Sequence, residues 1–153
     1  MKIFPKILFA TDLTKQTDKI SHYVRYMAQL FDSELHVISV MEPPPDPLVL
    51  YHDMLDDSIL ESYERELQKQ IETALRKTVE RHFSNLNVKI AVLLGPVAEK
   101  IITYAKEYGI SLIIMGSATK EGITEKIFGS NASKVIANSP CPVMTINPAK
   151  ITE

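Results

Sequence analysis

Three short stretches carry residue types that bind small polar ligands. The first is Asp12, which follows the apolar run Lys6–Ala10 and Thr11. A carboxylate there can accept hydrogen bonds from sugar hydroxyls or an amide, or help to hold a metal ion. It can equally cap a helix or the turn before one, and the sequence leaves both roles open. The second is Gly116-Ser117-Ala118-Thr119-Lys120-Glu121-Gly122. Its glycines permit close backbone approach and positive φ, and Lys120 could meet a phosphate; a surface loop with two ordinary turn glycines reads the same way. The third is Gly129-Ser130, opening the last helical stretch. The unpaired N–H groups and positive dipole of a helix start attract anions. The serine hydroxyl either caps that helix or bonds a phosphate oxygen.

Other reactive residues form no such pattern. His22, His36, His52 and His82 lack metal-ligand spacing and read as surface or satisfied histidines. Cys141 stands alone between Pro140 and Pro142, which excludes an intramolecular disulfide and suits a small buried hydrophobe. The chain has no Walker A sequence, no G-x-S-x-G elbow and no H-E-x-x-H.

The elements that must position these residues follow from hydrophobic period. Lys6–Ala10, Leu35–Val40, Val88–Leu94, Leu112–Met115 and Val143–Ile146 are short apolar runs of the kind buried in a parallel sheet. Between them lie helical stripes. Ile20, Val24, Met27, Ala28 and Phe31 form the first. Leu60, Tyr63, Leu67, Ile71, Leu75, Val79 and Phe83 form a long second one, with Ser58 and Glu61 at capping-box spacing. A third runs from Pro96 to Gly109, and a short one covers Ser130–Asn138. The prolines of residues 42–47 forbid helix and central strand and predict a surface loop. Strands alternating with helices predict right-handed crossovers onto one parallel α/β sheet, a single domain over 1–153. Ligands of such sheets bind beyond the carboxyl ends of the strands, where all three stretches lie.

Composition narrows the function classes. The 153 residues carry 17 basic and 19 acidic side chains, a net charge of −2, without the basic footprint that nucleic-acid binding requires. No apolar run approaches the about 18 residues that span a bilayer. The start, Met1-Lys2-Ile3-Phe4-Pro5-Lys6, does not read as a secretory peptide, so a cytoplasmic protein without a membrane or nucleic-acid partner is expected.

The chain resembles the universal stress protein family over nearly its whole length. The resemblance is carried by Lys6–Asp12 (KILFATD), Leu112–Ser117 (LIIMGS), and Gly129-Ser130 through Pro140-Cys141-Pro142-Val143. The family's nucleotide signature is glycine, two residues, glycine, nine residues, then glycine with serine or threonine. Gly116, Gly129 and Ser130 match it, whereas Thr119 stands where the middle glycine belongs. The resemblance implies a Rossmann-like open sheet of order 3-2-1-4-5 with helices on both faces. It also implies adenine-nucleotide binding, foremost ATP, with Mg2+ as an optional companion. Asp12 and the backbone of Val40 would face the adenosine; Gly116, Thr119, Lys120, Gly129, Ser130 and Asn131 would surround the phosphates. Thr119 implies weakened rather than abolished binding. No residue reads as a general base aimed at a water, so the expected protein is regulatory, with slow or absent hydrolysis. The alternative is a family member without nucleotide that acts as a dimeric interaction protein. An enzyme of a related fold, such as a nucleotidyl transferase, would carry a glycine-rich loop after strand one; here that stretch is Asp12–Thr17, without glycine. A homodimer is expected through the apolar edge strand Val143–Ile146.

Overall fold

The structure, a computed structural model, describes residues 1–42, 56–117 and 129–151. Five strands form one all-parallel sheet: β1 (Lys6–Ala10), β2 (Glu34–Met41), β3 (Val88–Leu94), β4 (Leu112–Gly116) and β5 (Val143–Ile146). Their order is β3-β2-β1-β4-β5, as the resemblance implied. Helices α1 (Thr17–Leu30), α2 (Asp57–His82), α3 (Val97–Glu107) and α4 (Ser130–Asn138) alternate with them, and a 3-10 turn follows at Pro148–Lys150.

Alternation of side chains along each strand builds two cores. Ile7, Phe9, Leu35, Val37, Leu112 and Ile114 meet Ile20, Val24 and Ala28 of α1, and Leu75 of α2, on one face. On the other face Leu8, Ile38, Ile113 and Met115 meet Ala98, Ile101 and Ala105 of α3, with Ala132 and Val135 of α4. Both faces of the sheet are therefore covered by helices, which is why its strands read as continuous apolar runs. Helix α3 ends where expected. Gly109 takes φ +63°, and Ile110 donates to the Ala105 carbonyl at 2.9 Å, closing the left-handed cap that glycine adopts without strain.

Two expectations need correction in α2. Its N-cap is Asp56, extended at φ −62° and ψ 136°, whose carboxylate accepts from the Ser58 N–H at 3.2 Å. Ser58 already lies in the first turn and cannot cap it, while Glu61 pairs with Arg65 at 3.4 Å. The apolar stripe is also only partly covered. Leu75, His82 and the following Phe83 are buried, but Tyr63, within the stripe, and Ile59 beside it are exposed. Length explains this: 26 helical residues span about 39 Å at 1.5 Å each, against roughly 26 Å for the eight residues of β2, so the helix overhangs the sheet.

The helices are tied by polar contacts as well. Asp18 of α1 lies 2.7 Å from the His82 Nε2 and 3.3 Å from the Arg81 guanidinium. The His82 hydrogen bond, reinforced by the charges beside it, holds the Asp18 carboxyl below its ordinary range. His22 and His82, distant in sequence, bring their rings to 5.5 Å, yet no cluster suited to a metal occurs among the described residues.

At the amino end of the sheet His36 is fully buried on β2. Its Nε2 lies 2.7 Å from Glu34 and its Nδ1 2.7 Å from the Tyr104 hydroxyl. Glu34 can only accept, so a neutral His36 donates Nε2–H to it and accepts from Tyr104 at Nδ1. Burial pushes the His36 pKa down against the opposing pull of Glu34, and Lys89 and Lys6 add to the downward push. Burial also raises the Tyr104 phenol to about 12, which keeps its donor proton in place. Tyr108 closes the group, its ring centroid 5.6 Å from His36 and 4.2 Å from Tyr104.

The unfolded chain takes up a proton at His36 near its ordinary value of 6.5, whereas the folded chain does so only at lower pH. This stabilising contribution is complete above the unfolded value and is lost as pH falls below it. Urea titrations at about pH 7.5 and about pH 5.5 should therefore show falling stability in the native chain, and a smaller fall in His36→Gln, which cannot protonate in that window. Equal falls in both proteins would contradict the assignment.

Candidate functional site

The strand order makes β1 and β4 neighbours while their connections leave in opposite directions across the sheet, which opens a crevice at their carboxyl ends. β1 stops at Ala10 opposite Ile38, but β2 runs three residues further, to Met41 beside Leu94 of β3. In a parallel ladder each residue turns its N–H and C=O to the same side. The Ile38 carbonyl accepts from Thr11, and the Met41 carbonyl accepts from Gly95. Val40 therefore directs its peptide groups toward β1, beyond the point where that strand has ended.

Asp12 sits at the mouth of this crevice, exposed to solvent. Its Oδ1 accepts from the Thr14 N–H at 3.1 Å, so part of the turn-capping role is real. The second oxygen has no hydrogen bond among the described residues. Leu13 follows with φ +58°, a left-handed backbone that a non-glycine residue seldom adopts. Its N–H is accepted by the Thr11 hydroxyl at 3.1 Å, and that hydroxyl lies 2.9 Å from the hydroxyl of Thr17.

Across the crevice, Gly116 ends β4. Its φ is not positive, so freedom to turn is not why glycine stands here. A Cβ built on it would lie 2.9 Å from the Ile20 Cδ1 of α1, so a side chain here would have to displace the tip of Ile20. Gly129 is the extended N-cap of α4, and Ser130 is its first helical residue. Among the described residues no side chain caps this helix start, and neither the serine hydroxyl nor the first helical N–H groups have a partner. Ser130 is exposed and Asn131 half-buried beside it. Thr119 and Lys120 lie outside the described residues.

The structure thus brings Asp12, Val40, Gly116, Gly129, Ser130 and Asn131 to the same end of the sheet. Sequence reasoning missed two groups. One is the Thr11–Thr17 pair, signalled only by threonines at positions 11, 14 and 17. The other is Ser117, 3% exposed, whose hydroxyl is the one buried side-chain polar atom without a partner among the described residues. Chemically, the arrangement offers a carboxylate and a free peptide on one side and open helical N–H groups on the other.

The universal stress protein family model matches residues 4–147. The chain belongs to that family. Among its relatives is universal stress protein MJ0531 of Methanocaldococcus jannaschii, 27% identical over 150 residues that cover 97% of this chain and 85% of that protein. The solved structure of MJ0577, from the same organism, superposes with a TM-score of 0.77 at 21% identity, covering 95% of this chain and 96% of that one. A universal stress protein in complex with cAMP has a TM-score of 0.67 at 14% identity, covering 95% and 98%. The Archaeoglobus fulgidus universal stress protein in complex with dAMP reaches 0.58 at 19%, covering 95% and 99%. These likenesses establish the shared fold.

If Gly116 is needed for room against α1, Gly116→Ala should cost about 1–3 kcal/mol in a tightly packed setting. On an Ile20→Val background, which removes Cδ1, the same change should cost clearly less. Urea denaturation of the four proteins measures the coupling, and equal costs on both backgrounds would refute the steric account.

Proposed function

We propose that this universal stress protein binds an adenine nucleotide, ATP foremost, at the carboxyl ends of β1 and β4, and acts as a regulatory binding protein. The observation that carries the proposal is the convergence there of polar groups without partners among the described residues: one oxygen of the Asp12 carboxylate, the Val40 peptide turned past the end of β1, and the first N–H groups of α4. A ribose offers hydroxyl donors to a carboxylate, an adenine offers edge groups to a strand peptide, and phosphates suit helical N–H groups. Related proteins solved with cAMP and dAMP support the nucleotide class. ATP, with or without Mg2+, is the finer reading, in which Gly116, Gly129, Ser130 and Asn131 surround the phosphates, joined by Thr119 and Lys120 of the segment between them. No described side chain stands as a general base over this crevice, so hydrolysis is not part of the proposal.

Nucleotide released from acid-denatured protein, identified by mass spectrometry, tests the class, and calorimetric titration with ATP tests affinity. Asp12→Ala should remain folded, losing about 1 kcal/mol with its turn hydrogen bond. Its affinity for ATP should fall by about tenfold, equivalent to 1.4 kcal/mol. Unchanged affinity in the folded variant would remove Asp12 from the site.

The second reading, a dimeric interaction protein without nucleotide, is favoured by Thr119 in the place of the signature's glycine. Repeated absence of ATP binding would select it. Either reading includes a homodimer through β5. The Pro142 carbonyl accepts from Ile113 of β4 and the Ile146 carbonyl from Ser117 just after it, so alternation turns the peptide groups of Val143 and Thr145 outward along an uncharged edge. Thr145→Pro removes one outward N–H while leaving the β4 ladder intact, and should shift the protein toward monomer in light scattering. A native chain that sediments at 17.2 kDa at micromolar concentration would count against the dimer.

A further inference from the structure

We propose that Thr11 and Thr17 form a hydroxyl pair that positions Asp12 against the sugar of the bound nucleotide. The inference rests on the adenine-nucleotide reading above and assigns the residues that make its carboxylate available.

The argument starts from the ladder that β1 would form if it continued. Thr11 donates its N–H to the Ile38 carbonyl at 2.9 Å. The next regular bonds on that side would run from the Val40 N–H to the Thr11 carbonyl and then from the Leu13 N–H to the Val40 carbonyl. Neither occurs among the described residues. Leu13 turns to φ +58° and gives its N–H to the Thr11 hydroxyl instead, at 3.1 Å. A left-handed conformation costs a non-glycine residue about 1–2 kcal/mol, so something must hold it. The capture of the Leu13 N–H by Thr11 is the hydrogen bond that offsets that cost.

Thr17 fixes the captor. Both hydroxyls are buried, at 8% and 5% exposure, and lie 2.9 Å apart. Thr17 opens α1, and its own N–H bonds the Thr14 carbonyl at 3.0 Å. The Thr14 N–H in turn bonds the Asp12 carboxylate at 3.1 Å. Asp12 is thus clasped between two turns. Thr11 and Leu13 set its backbone direction, and Thr14 orients its side chain with one oxygen left over. The same diversion of the chain leaves the Val40 peptide without a backbone partner among the described residues. A strand that simply ran on would pair Val40 and carry residue 12 along β2 instead of into the crevice.

The test is a double-mutant cycle on the full chain, with ATP as the probe and calorimetry as the readout. Thr11→Val keeps the branched shape and removes the hydroxyl. It should weaken ATP binding about threefold to tenfold, the range expected for a lost hydrogen bond that orients a charged group. On an Asp12→Ala background the same change should weaken binding less than about twofold, because its effect runs through Asp12. The native preference for ATP over 2′,3′-dideoxy-ATP should shrink in Thr11→Val, a selectivity that general loosening of the fold would not alter, and Thr11→Ser should restore it. Urea titration checks folding. If Thr11→Val does not fold, Thr17→Val, which withdraws the partner but leaves Thr11 in place, is used with the same expected direction. Equal losses on both backgrounds, or no loss, would overturn the positioning role while leaving the nucleotide reading intact. No ATP binding by the native chain would instead overturn the nucleotide reading, and the positioning role with it.

Discussion

The unequal lengths of β1 and β2 govern the rest of the structure. β1 is the central strand, paired with β2 on one edge and β4 on the other, and covered by helices on both faces. Everything beside it must accommodate its five residues. β2 does not stop with it, because its last three residues still pair with β3. The resulting step in the sheet leaves backbone without a neighbour on the β1 side. Backbone polar groups are rarely left unpaired in an interior, so a step of this kind persists where solvent or a ligand can reach it. The chain leaving β1 must then turn away sharply, which is the work of the left-handed Leu13 and the threonines around it.

The step also explains where α1 lies. The turn over residues 11–16 delivers Thr17 directly beneath the end of β1, so α1 crosses back over the sheet with Ile20 against Gly116. Glycine at the end of β4 leaves the tip of Ile20 room that a Cβ would contest. One glycine thus couples the close approach of α1 to the floor of the crevice. Packing and site are consequences of the same local geometry.

Much of this was legible in the chain, and the illegible part has a common cause. Strands such as Lys6–Ala10 and Val143–Ile146 were readable to the residue because both faces of a parallel sheet demand apolar side chains. Strand order was not readable from periodicity, since crossovers of similar length serve several orders; the family resemblance supplied it. The Gly109 stop was readable because only local backbone energetics decide it. The α2 cap was misassigned to Ser58 because Asp56, Ser58 and Glu61 all carry capping side chains, and only the backbone angles choose among them. The His36–Tyr104 pair was hidden because 68 residues separate its members and the sheet alone joins them. Val40 could be named only by resemblance, because its contribution is a peptide group whose freedom depends on where the neighbouring strand ends.

The two ends of the sheet treat their polar groups in opposite ways. At the amino end, His36 is satisfied at both ring nitrogens, Glu34 accepts from it and from Lys89, and the Tyr104 proton is committed. At the carboxyl end, the Val40 peptide, the first N–H groups of α4 and the Ser117 hydroxyl have no partners among the described residues. Of these only the Ser117 hydroxyl is buried, where an unmade hydrogen bond costs about 1–3 kcal/mol; Val40 is half-buried and Ser130 exposed, so their groups stay within reach of solvent or a ligand. Under the proposed nucleotide reading, these groups are the donors and acceptors that a ligand in the crevice would meet.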